Sequence, residues 1–228
     1  MLIEQTPKWV RALFPGVTWR LPQQEKTVYL TFDDGPIPEV TPFVLNVLEE
    51  YGIKATFFCV GDNIRKHPEV FDRIIKAGHG VGNHTFNHLQ GFKHSTRRYA
   101  KNVAKADKYI KSSLFRPPHG QFHLLQMLML RKRKYRIVMW DVITRDYNGS
   151  LSEEHVLNIV KKYTRNGSII VFHDSLKAEK NMKYALPKAI EFLIREGYKF
   201  DVLTPQLLDN KVKFPDYRER EVLSREAI

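Results

Sequence analysis

Hydrophobic positions follow two alternating rhythms from about residue 27 to residue 205. Thr27-Val-Tyr-Leu-Thr-Phe32 is a β-branched and aromatic run, which predicts a strand. Thr41 is a good N-cap, with Pro42 at the first helical position. Val44, Val47, Leu48 and Tyr51 then recur at helical spacing until Gly52. Residues 54–60 predict a second strand, and residues 68–78 a second helix that buries Val70, Phe71, Ile74 and Ile75. The pattern continues with a short strand at 80–83, a polar-faced helix at 96–111, a strand end at 114–116 and a helix at 121–133. A buried strand at 136–140 leads to a helix capped by Ser152, with Val156, Ile159, Val160 and Tyr163 on one face. A strand at 168–172, a helix at 185–197 with Pro187 in its first turn, and a strand at 199–203 close the series.

Repeated strand–helix units imply a parallel sheet with helices outside it, either a barrel or an open doubly wound sheet. There is no linker and no internal repeat. Residues 1–26 read as an N-terminal extension packed by Trp9 and Trp19, residues 27–210 as the main domain, and residues 211–228 as a peripheral tail rich in Arg and Glu. At 228 residues, 43% hydrophobic and 27% charged, the chain suits one soluble globular core. No apolar run approaches the roughly 20 residues of a transmembrane helix. Glu4 and Pro7 interrupt the stretch where a signal peptide would be apolar, so the N-terminus reads as carrying no export signal. On that reading the chain is cytoplasmic, with an envelope association left open. Cys59 is the only cysteine, which excludes an internal disulfide, and its apolar surroundings predict burial as a small hydrophobe.

The net charge of +12 raises the question of an anionic partner. The basic residues read as scattered, with the densest run at Arg131-Lys-Arg-Lys134 and a pair at Arg97-Arg98. No nucleic-acid motif accompanies either, so no nucleic acid is expected. A solvated basic face is the simpler reading, and attraction to an anionic polymer or membrane surface is the alternative. The oligomeric state is left open.

Chemistry gathers at the ends of the predicted strands, where parallel α/β folds build their sites. Asp33-Asp-Gly-Pro36 follows the first strand. Two adjacent carboxylates there need a metal or a base if buried, or they form an ordinary surface turn. His84-Thr-Phe-Asn-His88 follows the third strand, and two histidines four apart can share a cation. Two imidazoles and one carboxylate make a recurrent catalytic zinc set with room for water. Three further strand ends carry Arg116-Pro-Pro-His-Gly120, Asp141 to Tyr147, and Val171-Phe-His-Asp174. Standing alone, His173 would read as a core histidine with a backbone partner.

In this order the five stretches resemble the polysaccharide deacetylases of the NodB-homology type, carbohydrate esterase family 4. The family patterns are Thr-Phe-Asp-Asp-Gly-Pro, His-Ser/Thr-x-x-His, Arg-x-Pro-x-Gly, Asp-x-x-Asp-Trp and Leu-x-His. They are matched at residues 31–36, 84–88, 116–120, 141–147 and 171–173. The resemblance implies a distorted (β/α)7 barrel whose catalytic domain spans residues 27–210. It implies a divalent metal, zinc with cobalt as an alternative, on Asp34, His84 and His88. Asp33 would be the general base, oriented by Arg116, and His173 the general acid, polarised by Asp146 with Asp141 as second choice. Water activated at the metal would attack the acetamide of an N-acetylhexosamine glycan, peptidoglycan or chitin-like. His119, Pro118, Tyr147 and Val171 would line the groove or the acetyl pocket. Three of them depart from the family pattern: Tyr147 stands where tryptophan is usual, Val171 where leucine is, and His119 makes its wall more polar. An O-acetyl esterase acting on xylan, a non-glycan amidase, and a non-catalytic polyanion-binding module are the alternative readings.

Overall fold

The strand Thr27–Asp33 sends Val28, Leu30 and Phe32 to one face and Tyr29, Thr31 and Asp33 to the other, as a period of two dictates. Val28, Leu30 and Phe32 meet the surrounding helices and are fully buried, each contributing roughly 1.5–3 kcal/mol. The opposite face looks into the barrel, where Tyr29 packs with Phe58, Leu114, Val138 and Ile169. A residue two positions beyond Thr31 therefore stands at the barrel mouth, and that residue is Asp33.

The computed structural model describes residues 4–210. In chain order the elements are α1 (Lys8–Ala12), β1 (Val17–Thr18), β2 (Thr27–Asp33), α2 (Thr41–Glu50), β3 (Thr56–Cys59), α3 (Gly61–Lys66), α4 (Pro68–Lys76) and β4 (Gly80–Asn83). There follow α5 (Thr96–Ala106), β5 (Leu114–Phe115), α6 (Leu124–Lys132), β6 (Arg136–Val138), β7 (Val142–Ile143), α7 (Glu153–Tyr163), β8 (Ile169–His173), α8 (Glu179–Arg195), β9 (Lys199–Phe200) and α9 (Pro205–Asn210). Single 3₁₀ turns occupy Gly91–Lys93 and Pro118–Gly120.

All pairings between these strands are parallel, in the order β1-β6-β5-β4-β3-β2-β8-β7, with β9 beside the start of β2. Strands β2 to β8 form the distorted (β/α)7 barrel expected from the sequence. Residues 17–21 cross the gap between its edges. Thr18 accepts a hydrogen bond from Met139 N (2.7 Å), and Leu21 N donates to Gly167 O (2.8 Å). Ahead of them, Ile143 N donates to Glu4 O, and Arg11 bonds the Asp141 carboxylate. Trp19 is buried in this segment, but Trp9 is 66% exposed and does not share the packing expected of it. Helix α1 has only five residues, and it turns Val10, not Trp9, toward the core.

Three other expectations are corrected. Helix α8 begins at Glu179, so Pro187 lies in its interior and not in its first turn. Pro187 has no N–H for the carbonyl four residues earlier. The buried stripe Met182, Ala185, Leu186, Ala189, Ile190 and Leu193 outweighs that loss. Ile75 is 46% exposed, because the buried side of α4 is the Val70–Ile74 edge. Residues 121–123 precede α6 instead of opening it. Cys59 is buried as expected, and burial pushes its thiol up. Residues 211–228, read as a tail, lie outside the described residues.

The crossing segment makes a testable contact. A Cβ on Gly167, which has φ +80°, would lie 2.3 Å from the Leu21 carbonyl carbon and from Pro22 N. Gly167→Ala should therefore destabilise the fold by about 2–4 kcal/mol, through left-handed strain and overpacking together. Thermal unfolding measures this, and a midpoint within a degree of the parent would show the crossing to be loose.

Candidate active site

Because β2 and β8 are parallel neighbours in register, Asp33 lies directly beside His173, as Thr31 lies beside Val171. Asp33 is 3% exposed and accepts a hydrogen bond from Arg116 Nη1 at 2.6 Å. Among the described residues, Arg116 is the largest fully buried side chain. Its Nη1 also donates to Thr31 Oγ1 (2.8 Å), Nε to Val138 O and Nη2 to Met139 O, while its guanidinium rests 4.0 Å over the Phe58 ring. Burial pulls its pKa down and Asp33 opposes that pull. The two prolines after it fix the turn that holds it in place.

Asp34 leaves the strand with φ 84°. In an extended chain Asp34 would point away from the barrel, so this left-handed residue is what turns its carboxylate to the mouth. Asp34, His84 and His88 each offer a donor atom, and the three donors lie within 4.8 Å of one another. Asp34 Oδ1 is 3.1 Å from His88 Nε2 and 3.7 Å from His84 Nε2. Burial would raise the Asp34 carboxyl, but the close approach of His88 and the charges of His173, His88 and His84 hold it below the ordinary range. His84 is drawn down to about 4 by burial and the neighbouring His88, against the pull of Asp33 and Asp34, so its ring is neutral at physiological pH. Asp34 and His88 open on a hollow of about 330 Å³ bordered by Val60, Asn63, Asn87 and Ser175. A larger hollow of about 580 Å³ between Phe92 and Leu124 holds none of these groups.

The cluster fits a divalent cation by two observations. Asp34 Oδ1 is buried without a hydrogen-bond partner. His84 Nδ1 lies 2.7 Å from the Arg116 carbonyl, which fixes the proton there and leaves Nε2 free as a donor.

His173 lies on the other side of β2 from the two histidines. Its Nδ1 is 2.7 Å from Asp146 Oδ1, and its backbone N donates to Asp146 Oδ2 at 2.7 Å. Burial alone would lower its pKa, but the charge and hydrogen bond of Asp146, with Asp34 and Asp33 behind it, raise it to about 9. Asp141, the second choice for this role, is committed elsewhere, to Arg11, Arg165 and Ser168. Of the expected groove residues, Tyr147 stands edge-on to His173 (4.9 Å between ring centres) and His119 lies 4.5 Å from the His88 ring. Pro118 is buried in its turn. Val171 shares the face of His173 but is fully buried, so it lies beneath the site without an exposed surface.

The sequence reading missed three supports. Asp174 is fully buried, accepts hydrogen bonds from Gly35 N (3.0 Å) and Thr41 Oγ1 (2.6 Å), and is raised to about 8 by burial. Asn63 Nδ2 donates to the Asp34 carbonyl at 2.7 Å. Asn181 Nδ2 ties the loop after β7 through the carbonyls of Asp146 and Asn148. A carboxylate directly after His173, at the end of an apolar strand, was the one available signal.

The family model for polysaccharide deacetylase matches residues 20–138. A peptidoglycan-N-acetylglucosamine deacetylase of Bacillus cereus is 33% identical over 202 residues, 86% of this chain and 94% of the relative. The chain belongs to the polysaccharide deacetylase family. A second family relative, a chitooligosaccharide deacetylase of Azorhizobium caulinodans, is 32% identical over 166 residues, covering 70% of this chain and 79% of its own. The family barrel recurs in the crystal structure of a peptidoglycan N-acetylglucosamine deacetylase in complex with 4-naphthalen-1-yl-N-oxidanyl-benzamide. That structure superposes with a TM-score of 0.80 at 31% identity, covering 87% of this chain and 95% of the other. Membership meets the expectation drawn from the five motifs.

Proposed function

We propose that the chain is a metal-dependent N-deacetylase of N-acetylhexosamine glycans, peptidoglycan or chitin-like, with residues 27–210 as its catalytic unit. The observation that carries the reading is the placing of a carboxylate, Asp33, between the Asp34/His84/His88 cluster and a histidine whose own carboxylate keeps it protonated. Asp34, His84 and His88 would hold the cation, zinc or cobalt. When bound, it would polarise the acyl oxygen and lower the pKa of a water beside it. Asp33 takes the proton of that attacking water, and Arg116 keeps the carboxylate aimed. His173 gives a proton to the departing sugar nitrogen, which leaves acetate and a free amine. Tyr147 walls the acid side and His119 the cation side of the opening.

Acetate release from N-acetylglucosamine oligomers tests the reading. It should be abolished by a chelator and restored by zinc or cobalt. Release from acetylated xylan, with none from those oligomers, would replace the amidase reading with an esterase one. Release that survives the chelator would overturn the metal.

The acid makes a pH prediction. Asp146 keeps a proton on His173 up to about pH 9. In Asp146→Asn the imidazole loses its strongest raising partner, and burial, opposed only by the charges of Asp34 and Asp33, should draw it back toward its ordinary value of about 6.5. The alkaline limb of kcat/KM should then move down by roughly two pH units, and turnover at pH 8 should fall about 10–100-fold. The same linkage sets stability. The pair's stabilisation is complete below about pH 6.5 and is lost as the pH rises through the folded value. An unchanged pH profile in Asp146→Asn would remove Asp146 from the mechanism.

A further inference from the structure

Residues 93–136 contain thirteen of the 37 Lys and Arg but only one of the 25 acids, Asp107. The rest of the chain holds 24 of each sign, so the whole net charge of +12 comes from this one segment. The basic residues are therefore not scattered. The fold brings the segment to one flank, where α5 and α6 lie side by side and Arg133 Nη1 reaches the Ala100 carbonyl. On α5, Arg97, Lys101 and Lys105 recur four apart and are exposed. Asp107 is turned inward to Asn83 and Tyr135. Arg136 is paired with Asp209, but the cations on α5 and at the end of α6 have no carboxylate partner among the described residues.

The same flank exposes aliphatic side chains. Leu124, Leu125 and Leu128 on α6 are 62%, 66% and 48% exposed, and Arg131 and Lys132 continue their face by one turn. Phe92, 57% exposed, packs against the His123 ring immediately before α6. A soluble polyanion would be met by the cations alone and would leave the leucines in water. Leucines and cations sharing one exposed face match the border of a bilayer, with acyl chains for the first and anionic headgroups for the second.

We infer that the α5–α6 flank docks the protein on an anionic lipid bilayer, with Leu124, Leu125, Leu128 and Phe92 entering the interface and the exposed cations of α5 and of residues 131–134 on the headgroups. No described helix is long and apolar enough to cross the membrane, so the contact lies on the surface. Helix α6 follows the turn that carries His119, which places the docked flank beside the candidate active site. The inference is independent of the deacetylation reading.

Co-sedimentation of the full chain with vesicles at 0.15 M salt tests it. Equimolar phosphatidylglycerol and phosphatidylcholine should bind at least about tenfold more tightly than phosphatidylcholine alone. Leu124→Ser with Leu128→Ser, and separately Arg131→Glu with Lys132→Glu, should each weaken binding about tenfold or more. Both pairs should keep the parent's circular dichroism and unfolding midpoint, since all four side chains are exposed. Asp33→Asn should bind vesicles like the parent, whatever it does to turnover. No binding to the anionic vesicles, or equal binding to both kinds, would overturn the inference. So would binding that ignores the leucines and is matched by soluble polyphosphate, because a polyanion site would then explain the flank.

Discussion

Asp33→Asn should lower kcat for acetate release by about three orders of magnitude, the middle of the range for a general base, and leave the cation in place. The amide is nearly isosteric and its oxygen can still accept from Arg116 Nη1, so the barrel mouth should keep its shape. What is lost is the acceptor for the water's proton. Asp33 is not among the three clustered donors, so metal content after dialysis should match the parent. His84→Ala should give the complementary result. It removes a buried donor whose ring is oriented by the Arg116 carbonyl, and bound cation should fall well below one per chain. Elemental analysis and turnover measured on the same preparations separate the two. Metal loss in Asp33→Asn, or a full complement in His84→Ala, would exchange their roles.

Arg116→Met should produce the largest stability loss of any single site substitution, about 3–5 kcal/mol, because it leaves the buried Asp33 carboxylate without its counter-ion. Methionine fills much of the volume, so the cost comes from the charge and from Thr31, Val138 and Met139, which lose a shared donor. Chemical denaturation measures the loss, and a cost below about 1 kcal/mol would show that water replaces the guanidinium. Turnover should fall as well, with Asp33 no longer aimed. Cation affinity should suffer less than in His84→Ala, since the carbonyl that orients His84 belongs to the backbone at position 116 and survives any substitution there. The double variant Asp33→Asn/Arg116→Met should be more stable than Arg116→Met alone, because the stranded charge is gone.

Much of this site could be read from the chain because strands make side-chain direction predictable. Alternation from Tyr29 through Thr31 puts Asp33 at the barrel mouth, and alternation from Ile169 through Val171 does the same for His173. The four-residue spacing of His84 and His88 signalled the pair, although they meet through a loop with left-handed Thr85 and His88 and not on a helical turn. The N-terminal half of α8 was harder, because Pro187 reads as a helix start and residues 177–183 carry only one large apolar side chain, Met182, so only tertiary packing reveals the stripe they belong to. Trp9 misled for the opposite reason: a large aromatic usually marks packing, and here it faces solvent. Asp174, Asn63 and Asn181 act through backbone groups of distant loops, contacts that leave no periodic trace. The charge asymmetry was present in the sequence, but it appears when charges are counted over a pair of helices instead of over local runs.

The left-handed residues at the barrel mouth have a consequence for descent. Asp34, Thr85, His88, His119 and Arg145 all have φ between 56° and 84°, which costs on the order of 1–2 kcal/mol at each non-glycine position. Glycine or asparagine at such positions relieves that strain. Replacing Asp34 or His88 in that way abandons a donor while making the barrel easier to fold. Random change at this mouth therefore runs toward sturdier, silent proteins, and only continued selection for the product opposes it.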